Sequence, residues 1–324
     1  MLSQPSVPFR EHRVVEGSLQ LPGFASHRAG TVGRVAWRIA GVPGAPVVAA
    51  LGGISAHRRA YGGAAPPSGW WPLLAGPGLP LDTDRFRLLG IDWLTVPDGL
   101  TVDTRDQARA LLEVCDHLGI DRLHAIAGAS YGGMVALALA ELAPERVRHV
   151  LAIGAAHRSD ALSTAWRSIQ REIVRQFLCL GDGAGGLRIA RALAMTTYRT
   201  RAELNARFPA GAAESGASSF PVEDYVFARG ADFARRVDPR AFLSLSNSID
   251  RHCVDPARIR APVTLVAVVE DQLVPVEDIR ELAASLAGPC RLIELHSRYG
   301  HDAFLKECEL LRPAFAAALE GEPS

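Results

Sequence analysis

Leu123-His-Ala-Ile-Ala127-Gly-Ala-Ser130-Tyr-Gly132-Gly-Met-Val-Ala-Leu-Ala-Leu-Ala-Glu-Leu142 reads as a strand, a sharp turn and a helix. The apolar run Leu123–Ala127 suits a buried strand, and Gly133–Leu142 is rich in helix formers. Between them stands Gly128-Ala129-Ser130-Tyr131-Gly132, a G-x-S-x-G pattern. A turn tight enough to lift a serine hydroxyl clear of a sheet needs small residues two before and two after the serine. It also needs a strand feeding in and a helix leading out, and both are predicted here. That setting separates a nucleophile elbow from a glycine-rich turn carrying an exposed serine. The amide of Tyr131, at the helix N-terminus, is placed to donate to an oxyanion.

Working outward, the same alternation continues on both sides. Pro46–Leu51, Arg87–Asp92 and Val147–Ile153 look like buried parallel strands, and Thr101–Leu118 carries Ala108, Leu111, Leu112, Val114 and Cys115 at helical spacing. From about His157 to Ala257 the pattern lapses into amphipathic helical stretches, Trp166–Leu180, Leu187–Thr197, Val222–Arg236 and Arg240–Ile249. It resumes with a strand at Val263–Val269, a helix at Val276–Leu286, a strand at Arg291–Leu295 and a final helix at Ala303–Leu319. The expected class is α/β: a mostly parallel sheet with helices on both faces, split by a helical insertion. Residues 1–156 and 258–324 form the expected core and 157–257 a helical lid; there are no internal repeats.

A chain of 324 residues, 48% hydrophobic, has enough apolar content for one large domain with an insertion. Its 35 Lys+Arg balance 35 Asp+Glu, which disfavours nucleic-acid or membrane-surface partners because both need a broad cationic field. Five widely spaced cysteines without a CxxC pair, Cys115, Cys179, Cys253, Cys290 and Cys308, read as small core residues in a reducing compartment. Met1–Arg10 shows no signal-peptide pattern, and the uncharged stretches Ile39–Ala56 and Leu123–Ala140 are broken by Gly or Pro, so a cytoplasmic, soluble protein is expected.

A serine hydroxyl needs a base to take its proton and an acid to orient the base. Around such an elbow the acid and then the base follow the serine on loops after later strands. Asp271 follows the strand Val263–Val269, with Glu270 as competitor. His301 follows the strand Arg291–Leu295, and Gly300 gives its loop freedom to turn; the competitor His296, at the strand end, reads as a packing or capping residue. The other histidines, His57 apart, read as surface or satisfied structural groups. A second oxyanion donor is expected after the third strand, at the amide of Gly53 or Ile54. Gly181-Asp-Gly183-Ala-Gly-Gly186 matches a dinucleotide fingerprint with Glu203 about twenty residues on, yet no strand-helix-strand unit surrounds it. No metal-binding spacing is present, and no permanently bound cofactor is expected.

Several further strings carry a resemblance: Gly69-Trp-Trp71 with Gly76-Pro-Gly78 and Asp82-Thr-Asp-Arg85, the elbow with Gly132-Gly-Met134, Thr197-Tyr-Arg199, Val222-Glu-Asp-Tyr225 and, most specific, Tyr299-Gly-His-Asp-Ala-Phe-Leu305. In these the chain resembles the homoserine O-acyltransferase family of α/β-hydrolase-fold enzymes, which acylate L-homoserine from acyl-CoA in methionine biosynthesis. The resemblance implies Ser130, Asp271 and His301 as the triad and Arg191, Tyr198 and Asp302 as substrate-binding residues. Arg191 and Tyr198, seven apart, would face one pocket from a lid helix. A guanidinium suits the substrate carboxylate and an aspartate its ammonium; Asp302 would also suit as N-cap of the last helix.

The chain is similar to a shorter branch associated with succinyl transfer. It departs from the longer members at Gly52-Gly-Ile-Ser-Ala-His57-Arg-Arg59, where His57, Arg58 or Arg59 would meet the distal carboxylate of succinyl-CoA. Leu273 points the other way, being neutral where some succinyl-using members carry an arginine. Succinyl is favoured over acetyl on the basic cluster. The implied partners are the small molecules L-homoserine and acyl-CoA, with a homodimer through the lid implied by the resemblance alone. The alternative activities are homoserine O-acetyltransferase and a serine hydrolase, an esterase of the same fold.

Overall fold

The structure is a computed structural model, and it describes residues 13–22, 32–62, 69–96, 100–209 and 219–320. The Met1–Arg10 segment, His12 and His27 lie outside these. Among the described residues eight strands form one sheet: β1 (Arg13–Pro22), β2 (Val32–Gly41), β3 (Val47–Leu51), β4 (Arg87–Ile91), β5 (Ala125–Ala129), β6 (Val150–Ile153), β7 (Val263–Val268) and β8 (Cys290–Leu295). Their order is β1-β2-β4-β3-β5-β6-β7-β8; β2 runs antiparallel to both its neighbours and the other pairs are parallel. The expected mostly parallel α/β sheet is therefore what forms. β3, β5, β6 and β7 are buried along their whole length, as strands covered on both faces must be.

Helices α1 (Thr104–His117), α2 (Tyr131–Leu142) and α8 (Val276–Ser285) pack on one face, with Leu111, Val135 and Leu282 fully covered. The other face is closed by α10 (Cys308–Glu320) and the segment around Trp71, where Trp71 meets Phe315 edge-on at 5.5 Å. Burying a large aliphatic side chain stabilises by about 1.5–3 kcal/mol, so these two layers supply most of the driving force. Between β6 and β7 the described residues form five α-helices: α3 (Ala161–Cys179), α4 (Gly183–Tyr198), α5 (Arg201–Arg207), α6 (Pro221–Ala234) and α7 (Pro239–Asp250). They pack over the C-terminal ends of the parallel strands around their own small core of Val174, Leu187, Phe233 and Phe242.

Several expectations need correction. The final helix is two, α9 (Ala303–Lys306) and α10, because the Phe304 carbonyl accepts from Trp71 Nε1 at 2.8 Å and Glu307 leaves helical geometry. Only Cys115 is a core cysteine, its thiol pushed up to about 12 by burial; Cys179, Cys253 and Cys290 are exposed and Cys308 half-buried, and all five are free. As expected, the Gly181–Gly186 run has no strand on either side: it leads from α3 into α4, with Asp182 capping α4 through the Gly185 amide at 2.9 Å. Among the described residues no helix is long and apolar enough to cross a membrane.

Candidate active site

The chain turns from β5 into α2 at Ser130, whose φ of 55° and ψ of −121° make it the one non-glycine in the left-handed region among the described residues. Backbone packing explains the glycines around it. A Cβ on Gly128 would lie 2.2 Å from the Gly132 carbonyl oxygen, and one on Gly132 would lie 2.4 Å from that of Leu51. Hydrogen bonds brace the turn: Ser130 N–H donates to Ile153 at 2.8 Å and Gly132 N–H to Gly52 at 2.9 Å. Such strain persists only where the surroundings over-determine it.

His301 follows β8, and Gly300, with φ 55°, makes the bend that carries the ring inward. His301 Nε2 lies 2.8 Å from Ser130 Oγ and Nδ1 lies 2.6 Å from Asp271 Oδ2. The other oxygen of Asp271 accepts from the amides of Leu273 at 2.8 Å and Val274 at 3.1 Å, so the carboxylate has one orientation. Burial alone would lower the His301 pKa; the charge and hydrogen bond of Asp271, with Asp302 beyond, outweigh it and raise the imidazole above its ordinary value, against the opposing charge of Arg167. The competing residues pair with each other: Glu270 Oε1 accepts from His296 Nδ1 at 2.8 Å on the surface, so His296 neither packs nor caps.

The amides of Gly53 and Tyr131 donate to no described residue and flank the serine. Gly53 is held by its carbonyl, which accepts from Trp93 Nε1 at 3.0 Å and from the Ala56 amide at 2.8 Å. A Cβ on Gly53 would stand 4.0 Å from that of Ser130. Gly53 and Ile54 line a cavity of about 380 Å³ with Ser130, Tyr131 and His301. A wider hollow of about 560 Å³ between α3 and α7 holds none of these groups.

Arg191, Tyr198 and Asp302 line the same cavity. Arg191 Nη1 donates to Tyr198 Oη at 3.1 Å, and the guanidinium lies 4.7 Å from the Tyr198 ring and 4.6 Å from that of Phe233. It has no carboxylate partner among the described residues. Asp302 makes no side-chain cap of α9; its Oδ2 lies 2.9 Å from Arg199 Nε.

Sequence reasoning misplaces two arginines and misses two. Arg58 is held by Asp92 at 2.5 Å and Arg59 by Glu16 at 3.1 Å, and neither lines the cavity, because both face the β1–β2 edge of the sheet. His57 does line it, but burial lowers its pKa, Asp92 opposing and Arg58, Arg59 and Arg236 reinforcing, so it is neutral at pH 7. Leu273 lines the cavity. The cations that do reach the cavity are Arg167 from α3 and Arg236 beyond α6. No local pattern marks them, since an arginine on an amphipathic helix reads as a solvated face until its neighbours are known. Among the described residues no group of His, Cys, Asp and Glu could hold a metal ion.

The sequence matches the α/β hydrolase fold family over residues 59–307. Over 292 residues it is 40% identical to the homoserine O-succinyltransferase of Xanthomonas campestris pv. campestris, covering 88% of this chain and 79% of that relative. It is 34% identical to the serine O-succinyltransferase of Litchfieldella anticariensis (82% and 86% covered). With the homoserine O-acetyltransferase of Clavibacter michiganensis subsp. michiganensis it shares 32% identity (85% and 82%). Among solved structures, the homoserine O-acetyltransferase from Bacillus anthracis superposes with a TM-score of 0.87 at 18% identity, over 96% of this chain and 99% of that one. Esterase E22 superposes with 0.83 at 19% identity (95% and 100%), a likeness of fold. With that extent of sequence shared among proteins of one reaction type, the chain belongs to the α/β-hydrolase family and, within it, to the homoserine O-acyltransferase family.

Proposed function

We propose that the protein transfers an acyl group, succinyl in preference to acetyl, from acyl-CoA to the hydroxyl of L-homoserine in methionine biosynthesis. The observation that carries this reading is the Ser130–His301–Asp271 relay opening on one cavity that Arg191 and Asp302 also line, a guanidinium and a carboxylate of the two charges a zwitterion needs. His301 takes the proton of Ser130 as the serine attacks the thioester carbonyl. The oxyanion is met by the amides of Tyr131 and of Gly53 or Ile54, groups that need no reorganisation when charge develops. Collapse expels the CoA thiolate, which His301 reprotonates. Homoserine then enters with its carboxylate on Arg191 and Tyr198 and its ammonium on Asp302. His301 deprotonates its hydroxyl, which attacks the acyl-serine, and Ser130 leaves with the proton returned.

Water is the competing nucleophile at the second step, and a transferase has to exclude it. Helices α3 to α7 are read as the lid that does so. The 40% identity to a homoserine O-succinyltransferase supports succinyl as donor. Leu273, a neutral side chain in the cavity wall, favours acetyl, the second reading. A CoA donor and the lack of a membrane-spanning helix among the described residues agree with a cytoplasmic enzyme.

Release of free CoA from succinyl-CoA, followed with and without L-homoserine, tests the proposal. Homoserine should accelerate release at least about tenfold, with O-succinylhomoserine as product, and Ser130→Ala should lower the rate by roughly four orders of magnitude or more. CoA accumulating equally fast in both mixtures would identify an esterase instead.

A further inference from the structure

Trp93 stands behind the cavity wall rather than in it, yet its one side chain touches both segments that supply the oxyanion amides. It follows β4, on a stretch clamped from two sides. Asp92 N–H donates to the Ala36 carbonyl at 2.8 Å, and the buried Gln107 side chain of α1 exchanges hydrogen bonds of 2.9 and 2.7 Å with the backbone of Leu94. From there the indole, 8% exposed, donates Nε1–H to the Gly53 carbonyl at 3.0 Å. The same ring meets that of Tyr131 edge to face, with centroids 4.9 Å apart and planes at 73°. Tyr131 is tied at its far end as well, where Oη lies 2.6 Å from Ser248 Oγ.

A trans peptide unit is planar, so the direction of a carbonyl fixes that of the N–H in the same unit. Gly132 N–H holds the Gly52 carbonyl at 2.9 Å and so orients the N–H of Gly53. Trp93 and the Ala56 N–H hold the Gly53 carbonyl and so orient the N–H of Ile54. Neither of these two amides has an acceptor among the described residues. The residue between the two peptide units is a glycine, which does little to restrict its own φ and ψ. The aim of the amides therefore depends on the donors that hold the flanking carbonyls, and Trp93 is the one side chain among those donors. An oxyanion site is effective because its dipoles are fixed before charge develops; an amide free to turn has to reorganise first. We propose that Trp93 is a positioning residue for the reaction: its indole holds the Gly53–Ile54 peptide and the Tyr131 ring together, and so keeps the two sets of amides aimed at the oxyanion that forms on Ser130. The inference rests on the acyl-transfer reading above and assigns the rigidity of the oxyanion site to a side chain that does not line the substrate cavity.

Trp93→Phe keeps a ring against Tyr131 and removes the N–H. In single-turnover acylation of Ser130 by p-nitrophenyl acetate it should lower the maximal rate by about 10–50-fold, less than the roughly 10²–10³-fold cost of deleting an oxyanion donor outright, with half-saturation by the ester within about twofold of native. The inhibition constant of phenylboronic acid, which becomes a tetrahedral anion on Ser130, should rise by a similar factor, because it reports binding of the transition-state shape. The acid limb of the pH profile should stay in place, since His301 and Asp271 are untouched. Trp37→Phe serves as the packing control: that tryptophan is equally buried, its Nε1 has no partner among the described residues, and the variant should leave rate and inhibition constant within about threefold of native. If Trp93→Phe does not fold, benzothienylalanine at position 93, which replaces the N–H by sulfur in a ring of the same shape, carries the same measurements. An unmoved maximal rate, a loss read as weaker ester binding with the boronate constant unchanged, or an equal loss in Trp37→Phe overturns the proposal and leaves acyl transfer standing. A native enzyme that the ester acylates no faster than it does Ser130→Ala defeats the functional reading and the proposal with it.

Discussion

Asp302 stands between two cations and a base: it is paired with Arg199, faces the site read to hold the substrate ammonium, and raises the neighbouring His301. The imidazole must be neutral to take a proton from Ser130, so activity falls as pH drops through a pKa above the ordinary histidine value of about 6.5. Asp302→Asn removes one charge that favours the imidazolium. The acid limb of the pH profile should move to lower pH, read from acylation of Ser130 by p-nitrophenyl acetate, which needs no amino-acid acceptor. With homoserine the same variant should lose roughly 10–100-fold in kcat/KM, since a charged hydrogen bond contributes about 1.5–3 kcal/mol. At this scale Ser130, Asp271 and His301 were legible because the elbow and the loops after two strands announce them. Arg167 was not, because its acid partner lies 83 residues away.

Helix α3 is held to α7 mainly through Asp250, which accepts from Arg167 and Thr164 and pairs with Arg171. Asp250→Asn would leave two buried guanidinia without a counter-charge. A loss of about 3–5 kcal/mol is expected in urea unfolding, with a larger drop in homoserine-dependent turnover as Arg167 loses its orientation. Helix periodicity marked most of the inserted helices, but their charged residues carried no sign of which would turn inward. The first two strands, β1 at the sheet edge and β2 beside it, were also not read as strands: β1 alternates exposed and half-buried residues and mixes Glu16, Gly17 and Ser18 into the run, so no continuous apolar pattern marks it.

Across the whole molecule, groups distant in sequence are clamped by buried polar contacts as well as by the two apolar layers. His252, beyond α7, bonds Thr104 Oγ1 at the start of α1 at 2.7 Å and the Ala156 carbonyl after β6 at 3.0 Å. Burial depresses its pKa to about 4, the Ala156 hydrogen bond opposing. Above about pH 6.5 the ring is neutral both folded and unfolded. As pH falls from there to 4 the unfolded chain takes up the proton first, and stability drops by roughly 3 kcal/mol. Urea unfolding at pH 7.0 and 4.0 should show that difference, and His252→Gln should remove most of it.

The α/β class, the parallel direction of the central strands, the elbow and the triad followed from sequence alone, because each is written in contiguous residues or in chain order. Local periodicity and tight-turn chemistry act over a few residues, so a sequence displays them directly. Which arginines reach the cavity was decided only by the tertiary structure. Arg58 and Arg59 stand beside the oxyanion loop in sequence yet are captured by Asp92 and Glu16, while Arg167 lies 37 residues beyond Ser130 on an inserted helix and turns inward because Asp250 meets it there. A buried charge goes where its counter-charge and hydrogen bonds are, and those partners come from elements that only folding brings together.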